Sequence, residues 1–392
     1  MAQGAGTRTR TRSRFHVKSE YYFDYSLLFV VLFLLGFGLI MIYSTSSYEA
    51  GISSSCNYDS AYYLKKQAVS TALGLVAMFF FARVDYHKWE KFATIAYIGS
   101  IVLVLLLLTP LGITANGATR WLNLGMSLQP AEVAKLGVIL FLSSLICKMG
   151  KGVRSMKGAA VIIGFAGVLF VLIYKISSNL SSAIIVLGIS VVMLFVASPD
   201  YKKFIIAGLI VIALAAAIVL FIVNQGGTGE FRGQRVLAWL HPEQYSNDTA
   251  FQTLQALYAI GSGGIFGKGL GQSMQKLGFI PEAQNDMIFS VICEELGLFG
   301  AIAVILLFAL LIWRCMIIAN NASDLFGAMI VVGVIGHLSI QVILNVAVVT
   351  NSIPTTGISL PFISYGGSSV MFLLIEIGLV LSVASHIELK EI

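Results

Sequence analysis

Long apolar runs, separated by short polar breaks, dominate the chain. A helix that crosses a bilayer needs about 20 mostly apolar residues. Ten segments approach that length: 25–46, 63–82, 91–112, 127–147, 158–175, 182–198, 203–223, 286–313, 325–348 and 363–385. The weakest boundary is between the fifth and sixth, which only 176–181 separates. The pattern predicts an all-α polytopic membrane protein of about ten transmembrane helices with mostly short connections. The exception is 224–285, a large loop between the seventh and eighth helices, and long loops in compact proteins are usually functional. It holds an amphipathic piece at 251–260, the glycine cluster GSGGIFGKGLG at 261–271, and PEAQND at 281–286. Re-entrant or interfacial helices are expected there, because free backbone is not tolerated at membrane depth. No internal repeat is evident, so an inverted-repeat transporter is not indicated.

Composition narrows the class. Of 392 residues, 57% are hydrophobic and 11% charged, against about 45–50% and about 25% in soluble domains. So few charges cannot cover a soluble surface of this size. A soluble enzyme, a nucleic-acid binder and a disordered scaffold are thereby excluded. The net charge of +6 reads instead as membrane topology, because Lys and Arg collect on cytoplasmic segments. With the N-terminus inside, 16 Lys and Arg fall on the cytoplasmic side and 8 outside, four of the latter in the long loop, with Lys135 inside a span. Both termini are therefore expected in the cytoplasm. The domain reading is a basic N-terminal arm (1–24), a membrane domain (25–385) and a short cytoplasmic tail (386–392). The arm, with TRTRTRSR at 7–14, precedes an apolar run that lacks a cleavage site, and so does not read as a signal peptide. Cys56, Cys147, Cys293 and Cys315 form no CxxC pair and no zinc spacing.

Charge inside a bilayer costs several kcal/mol unless it is paired or hydrated, which makes it a functional hypothesis. The fourth helix opens SLQPAEVAKLG, with Pro130 in the first turn and Glu132 and Lys135 three residues apart on one face. They form either a self-neutralising structural pair or part of a hydrophilic cavity. Glu294 and Glu295 are adjacent, so they cannot point the same way, and at least one should face a polar cavity or be protonated. Glu376 is isolated in an apolar run. Asp286 lies where the long loop meets the eighth helix. It is either a helix cap or a catalytic carboxylate. Lys65, Lys66, Arg235, Lys268 and Lys276 are further outer cations, suited to lipid headgroups or to a ligand.

Several ordered blocks carry a resemblance: NGATRWLNLG (116–125) running into SLQPAEVAKLG (127–137), GQRVLAWLHPE (233–243), GKGLGQSMQKLGFIPEAQNDMIFSVICEELGLFG (267–300) and NVAVVTNSIPTTGISLPFISYGGSS (345–369). Together they resemble the SEDS family (shape, elongation, division and sporulation), whose members include RodA, FtsW and SpoVE, and they lean toward the FtsW and SpoVE branch. The likeness covers roughly 25–385. It implies a peptidoglycan glycosyltransferase that polymerises lipid II at the outer face of the cytoplasmic membrane. It also implies release of undecaprenyl pyrophosphate and a class B penicillin-binding protein as partner, with no role for nucleic acid. Carried over residue by residue, the essential aspartate falls on Asp286, the Arg-Trp pair on Arg120 and Trp121, and the fourth-helix pair on Glu132 and Lys135. The glycine-rich block before the last helix falls on 364–369. Three departures occur: Gln284-Asn285 replaces a His-Thr pair, Ser178-Asn179-Leu180-Ser181-Ser182 replaces Pro-Asp-Leu-Gly-Thr, and Thr350-Asn351 replaces Thr-Gly. No role of the lost acid transfers to Asn179.

The chemistry so implied needs a base at the acceptor hydroxyl and cations at the donor pyrophosphate. Asp286 is the expected catalytic base, and one carboxylate suits a single inverting displacement. Arg120, Trp121, Glu132, Lys135 and Lys276 are the expected substrate-binding residues. Arg can fork onto phosphate oxygens, whereas Lys acts as a point charge. No soluble cofactor is required in principle. A divalent cation, Mg or Mn, at the pyrophosphate fits the chemistry, although no dedicated ligand cluster stands out. Two other functions remain: a flippase for the lipid-linked precursor, which needs a polar path to the cytoplasmic side, and a non-catalytic scaffold of the cell-wall synthesis complex.

Overall fold

The computed structural model describes residues 23–387 apart from 116, 124, 126, 199, 225–230 and 246–249. The expected basic arm (up to residue 22) and the tail beyond 387 lie outside the described residues. Ten helices among the described residues are long and apolar enough to cross a membrane. They are α1 (Tyr25–Ile52), α2 (Tyr62–Arg83), α3 (His87–Leu106), α4 (Pro130–Met149), α5 (Met156–Ile176), α6 (Leu180–Ala197), α7 (Tyr201–Asn224), α10 (Ile288–Asn321), α11 (Leu325–Val349) and α12 (Gly367–Ser385). The chain is a multi-pass membrane protein, as the apolar pattern requires. Two shorter helices, α8 (Phe231–Leu240) and α9 (Phe251–Gly263), lie in the long loop.

Local chemistry sets the helix ends. Asp24 accepts from the Leu27 amide at 2.9 Å and pairs with Arg314 Nη2 at 2.6 Å, which fixes the start of α1 against α10. Ser155, Asn179 and Asp324 cap α5, α6 and α11 through side-chain oxygens. Asn179 thus keeps the capping capacity of the acid it replaces. The third span ends at Leu106, earlier than the apolar run to 112 predicts. Beyond the Thr109-Pro110 turn the chain forms a small antiparallel sheet of β1 (Gly112–Ala115), β2 (Ala118–Asn123) and β3 (Ser127–Leu128), with Ile113 opposite Trp121 and Leu122 opposite Leu128.

The helices are unequally enclosed. The most apolar stretch of α12 is 83% buried and those of α4 and α11 are 67% buried, whereas that of α7 is 0% buried. Polar residues on α4, α11 and α12 therefore face protein, and α7 offers its side chains to lipid. Small residues allow the tight seam between α2 and α12: a Cβ at Gly378 would lie 2.5 Å from the Met78 carbonyl oxygen, and one at Gly74 would lie 2.7 Å from Leu374 Cδ1.

α10 is broken at Gly297 (φ 67°, ψ −166°). The break frees backbone groups in an apolar setting, and the glycine-rich stretch after α9 takes them up. Lys268 N and Gly269 N donate to the carbonyls of Glu294 and Glu295, each at 2.9 Å, while Leu298 N and Phe299 N donate to the Gly264 and Ile265 carbonyls at 2.9 and 3.1 Å. The two backbones approach so closely that a Cβ at Gly263 would sit 2.0 Å from the Cys293 oxygen, and one at Gly267 (φ +78°) 2.2 Å from the Glu295 oxygen. The 261–271 glycines thus serve a backbone-to-backbone contact. Gly267→Ala is expected to destabilise the fold by about 2–4 kcal/mol, combining a left-handed φ with overpacking. Thermal unfolding of the purified variant checks this, and a midpoint within a degree of wild type would refute it.

Candidate functional site

α10 begins directly after Asp286, and α11 holds that start in place. Asn345 Nδ2 donates to the Asp286 carbonyl at 2.8 Å and to the Ile358 carbonyl at 2.7 Å. One buried amide therefore fastens the loop before α10 to the segment between α11 and α12. That segment (350–366) is tied on several sides. Trp239 Nε1 donates to the Asn351 carbonyl at 2.9 Å, Arg235 Nη1 to Thr355 O at 3.2 Å, and Ser181 Oγ to Thr356 O at 2.5 Å. Asn351 adopts φ 54°, a left-handed conformation that Asn tolerates better than most residues. This explains why Asn can stand where Gly is commoner.

The Asp286 carboxylate is half-buried. Gln252 Nε2 lies 3.5 Å from Oδ1 and also donates to the Pro281 carbonyl at 3.2 Å. Gly357 (φ +71°) stands beside the other oxygen, so that an added Cβ would lie 3.9 Å from Oδ2. Burial pushes the Asp286 pKa up to about 6, with the negative charge of Glu282 adding to the shift, while Arg235 and the Gln252 amide pull the other way. The Asp286 side chain does not cap α10, whose N-cap is Met287 without a side-chain bond.

Deeper in the bundle, Lys135 Nζ pairs with Glu132 Oε1 at 2.7 Å. It also lies 3.1 Å from His337 Nε2 and 3.4 Å from Gln341 Oε1. His337 Nδ1 meets Glu376 Oε2 at 2.8 Å. Glu376, isolated in sequence, is thus one end of a buried polar ladder across α4, α11 and α12. Gln341 Nε2 donates to Ser359 O at 3.0 Å. Gln341 and Asn345, four residues apart on one face of α11, link the ladder to the Asp286 loop. Asn345, His337, Gln341 and Gln252 were not singled out from the sequence. The i,i+4 pair His337 and Gln341 in an otherwise apolar helix was the available signal.

The other expected residues have separate places. Arg120 and Trp121 lie half-buried on β2, and the Arg120 Nε is enclosed without a hydrogen-bond partner. The sheet is held to the start of α12 by Ser368 Oγ, which donates to Ser127 O at 2.5 Å. No hydrogen bond or ion pair among the described residues joins Arg120 or Trp121 to Asp286. Lys276 is 7% exposed, and its ammonium binds Glu295 Oε1 at 2.8 Å and Ser44 Oγ at 2.9 Å. In this structure Lys276 ties the loop to α1 and α10, engaged with protein groups. Glu294 makes the companion clasp, to Lys268 Nζ at 2.7 Å, the Ser273 hydroxyl and the Met274 amide at 3.2 Å. Each adjacent glutamate therefore has its own lysine. Around 364–369, the bonds are to protein: Tyr365 N donates to Gln284 O at 2.9 Å and Gly366 N to Gln67 Oε1 at 3.1 Å. Among the described residues no three His, Cys, Asp or Glu side chains converge as a metal site.

A bundle of about ten membrane-spanning helices with this topology is the fold of the SEDS class. The family model described as cell cycle protein, covering FtsW, RodA and SpoVE, matches residues 25–389, and the chain belongs to that family. It is 37% identical to stage V sporulation protein E of Bacillus subtilis (strain 168), across 93% of this chain and 97% of the relative. It is 36% identical to a probable peptidoglycan glycosyltransferase FtsW of Geobacter metallireducens, across 93% and 96%. A solved chain from a peptidoglycan synthase complex that coordinates polymerization and crosslinking superposes with TM-score 0.76 at 26% identity, covering 94% of this chain and 99% of that one. Thermus thermophilus rod shape determining protein RodA gives TM-score 0.67 at 25% identity, covering 94% and 98%.

The raised Asp286 pKa has a stability consequence with a definite sign. The folded state holds the proton more tightly than the unfolded chain, whose carboxyl titrates near 3.8. Stability is therefore lost as pH rises from about 4 through about 6, and the cost is complete above that. Asp286→Asn is expected to stabilise the fold at pH 7.5 by about 1–3 kcal/mol and to leave it unchanged at pH 4. Unfolding midpoints at the two pH values check this, and a destabilised variant at pH 7.5 would overturn it.

Proposed function

We propose that this chain, a peptidoglycan glycosyltransferase of its family, polymerises lipid II with Asp286 as general base. The observation that carries the reading is the Asp286 carboxylate, half-buried at the loop end, where burial pushes its pKa up to about 6. A base with that pKa is ionised at neutral pH yet basic enough to take a hydroxyl proton as attack proceeds. The acceptor sugar hydroxyl loses its proton to Asp286 while its oxygen attacks the anomeric carbon of the donor. The bond from that carbon to the pyrophosphate breaks in the same displacement, inverting the centre, and undecaprenyl pyrophosphate leaves. Lys135, backed by Glu132, and Arg120 on β2 are the proposed cations for the pyrophosphate, and Trp121 the proposed stacking face for a sugar. The enclosed Arg120 Nε without a partner supports a role in ligand binding. Lys276 is proposed to shape the loop rather than to touch substrate. The proposed topology has the loop end outside the cytoplasmic membrane and both termini inside, with the basic arm cytoplasmic. A class B penicillin-binding protein is the proposed partner that cross-links the product.

The charge ladder also suits a flippase, and this second reading makes its own demand. Its path would have to continue past Glu376. There α12 presents Ile377, Leu379, Val380, Leu381, Val383 and Ala384, all buried and apolar, with Ser382 among them. This supports chemistry at the loop end over passage.

The purified chain, given lipid II with and without a partner transpeptidase disabled in its own chemistry, is expected to yield glycan polymer. Asp286→Asn should lower the rate at least about 100-fold, the scale of general base catalysis. Equal rates would remove Asp286 as the base. Polymer from neither protein, beside a competent partner, would favour lipid flipping. In the active enzyme, kcat/KM should rise with pH through about 6. Arg235→Gln removes a cation that favours the ionised carboxylate and should move this limb to higher pH, whereas Glu282→Gln removes a like charge and should move it lower. Shifts in the same direction would refute the assignment.

A further inference from the structure

The polar ladder continues beyond Lys135 to groups that the proposed chemistry leaves unused. His337 and Glu376 are both 0% exposed. Their protons can be placed from neighbours whose roles are fixed. The Ser359 carbonyl only accepts, so the Gln341 atom 3.0 Å from it is the amide nitrogen. Gln341 Oε1 is then the end that faces Lys135 and His337, and it too only accepts. His337 Nε2 stands between that oxygen at 2.8 Å, which only accepts, and the Lys135 ammonium at 3.1 Å, which only donates, and the shorter contact assigns the proton to Nε2. On the other side of the ring, Nδ1 shares a second proton with Glu376 Oε2 across 2.8 Å. His337 is faced by Glu132 and Lys135 from α4, by Glu376 from α12 and by Gln341 on its own helix. Its neighbour Gly336 packs on Val192 of α6.

The proton on Nε2 decides what the ammonium can do. Lys135 has three N–H donors. One faces Glu132 Oε1 at 2.7 Å and one faces Gln341 Oε1 at 3.4 Å. A lone pair on His337 Nε2, 3.1 Å away, would accept the third and leave Lys135 nothing to offer. A protonated Nε2 cannot accept it. We propose that His337, with its Nε2 proton maintained by Glu376, is a positioning residue that keeps one N–H of Lys135 available to a phosphate oxygen of a lipid-linked pyrophosphate. The ligand in this inference rests on the glycosyltransferase reading, while the proton arrangement does not.

Nitrogen NMR of the purified chain labelled at histidine reads both ring nitrogens, with the His337 signal identified by its loss in His337→Gln. Nε2 is expected protonated in wild type and unprotonated in Glu376→Gln. Binding of farnesyl pyrophosphate, with farnesol as the uncharged control, should weaken about tenfold in Glu376→Gln, the scale of one hydrogen bond to a charged group. Glu376→Asp should restore it. An unprotonated Nε2 in wild type overturns the inference without any variant having to fold. So does a Glu376→Gln protein that keeps the Nε2 proton, or one that loses it and still binds the pyrophosphate as wild type does. If the wild type shows the protonated Nε2 and binds the probe but never makes polymer, the glycosyltransferase reading fails and this inference stands.

Discussion

No lipid tail can accept a hydrogen bond or neutralise a charge, so every such group inside the bundle must find its partner in the protein. The break at Gly297 is the point on which most depends. It ends a helical hydrogen-bond ladder about three turns below the loop carboxylate. The freed carbonyls and amides are taken up by the glycine stretch after α9, with Gly263 and Gly267 giving the approach that a side chain would block. Glu294 and Glu295, on the last turn before the break, then reach back to Lys268 and Lys276 in the same stretch. Backbone and charge are satisfied by one docking event, and the loop that carries Asp286 is fixed by it.

α11 performs the second act of assembly. Asn345 and Gln341 share a face, and both bond the non-helical segment before α12, at Ile358 and Ser359. Asn345 also bonds the Asp286 carbonyl, and Gln341 lies against Lys135 and His337. The proposed base and the buried ladder are thus positioned by one helix. Their settings differ: Asp286 is half-buried at the loop end, and Lys135 lies enclosed among charges of both signs.

The enclosure of the helices follows the same logic. Lys135, Gln341, Asn345 and Glu376 sit on α4, α11 and α12, the most buried spans, Glu294 and Glu295 sit in the enclosed first part of α10, and α7, with no buried residue, carries no charge or amide in its membrane-crossing core. Lipid-facing helices need only be apolar, so their sequences say little about neighbours. The inner helices need partners at specific depths, and their sequences contain the polar residues that provide them.

What the sequence by itself determined is therefore uneven. The ten spans were legible because bilayer thickness imposes a length and an apolar character on each, independent of its neighbours. The family blocks identified Asp286, Arg120, Glu132 and Lys135 as residues of interest, and the Glu132–Lys135 contact was readable because both lie on one helix, three residues apart. The hairpin after α3 was missed, because Leu107, Leu108 and Leu111 extend the apolar run past the point where the Thr109-Pro110 turn ends the helix. The partners of Glu294, Glu295 and Glu376 were not legible. Lys268, Lys276 and His337 stand far from them in the chain, and hydropathy does not encode which helix faces which. Only the tertiary structure decided that an isolated Glu376 meets His337, that Lys276 binds Glu295 within the protein, and that Asp286 hangs from an amide on α11. Those contacts depend on the relative rotation and depth of helices, which packing sets and local sequence does not.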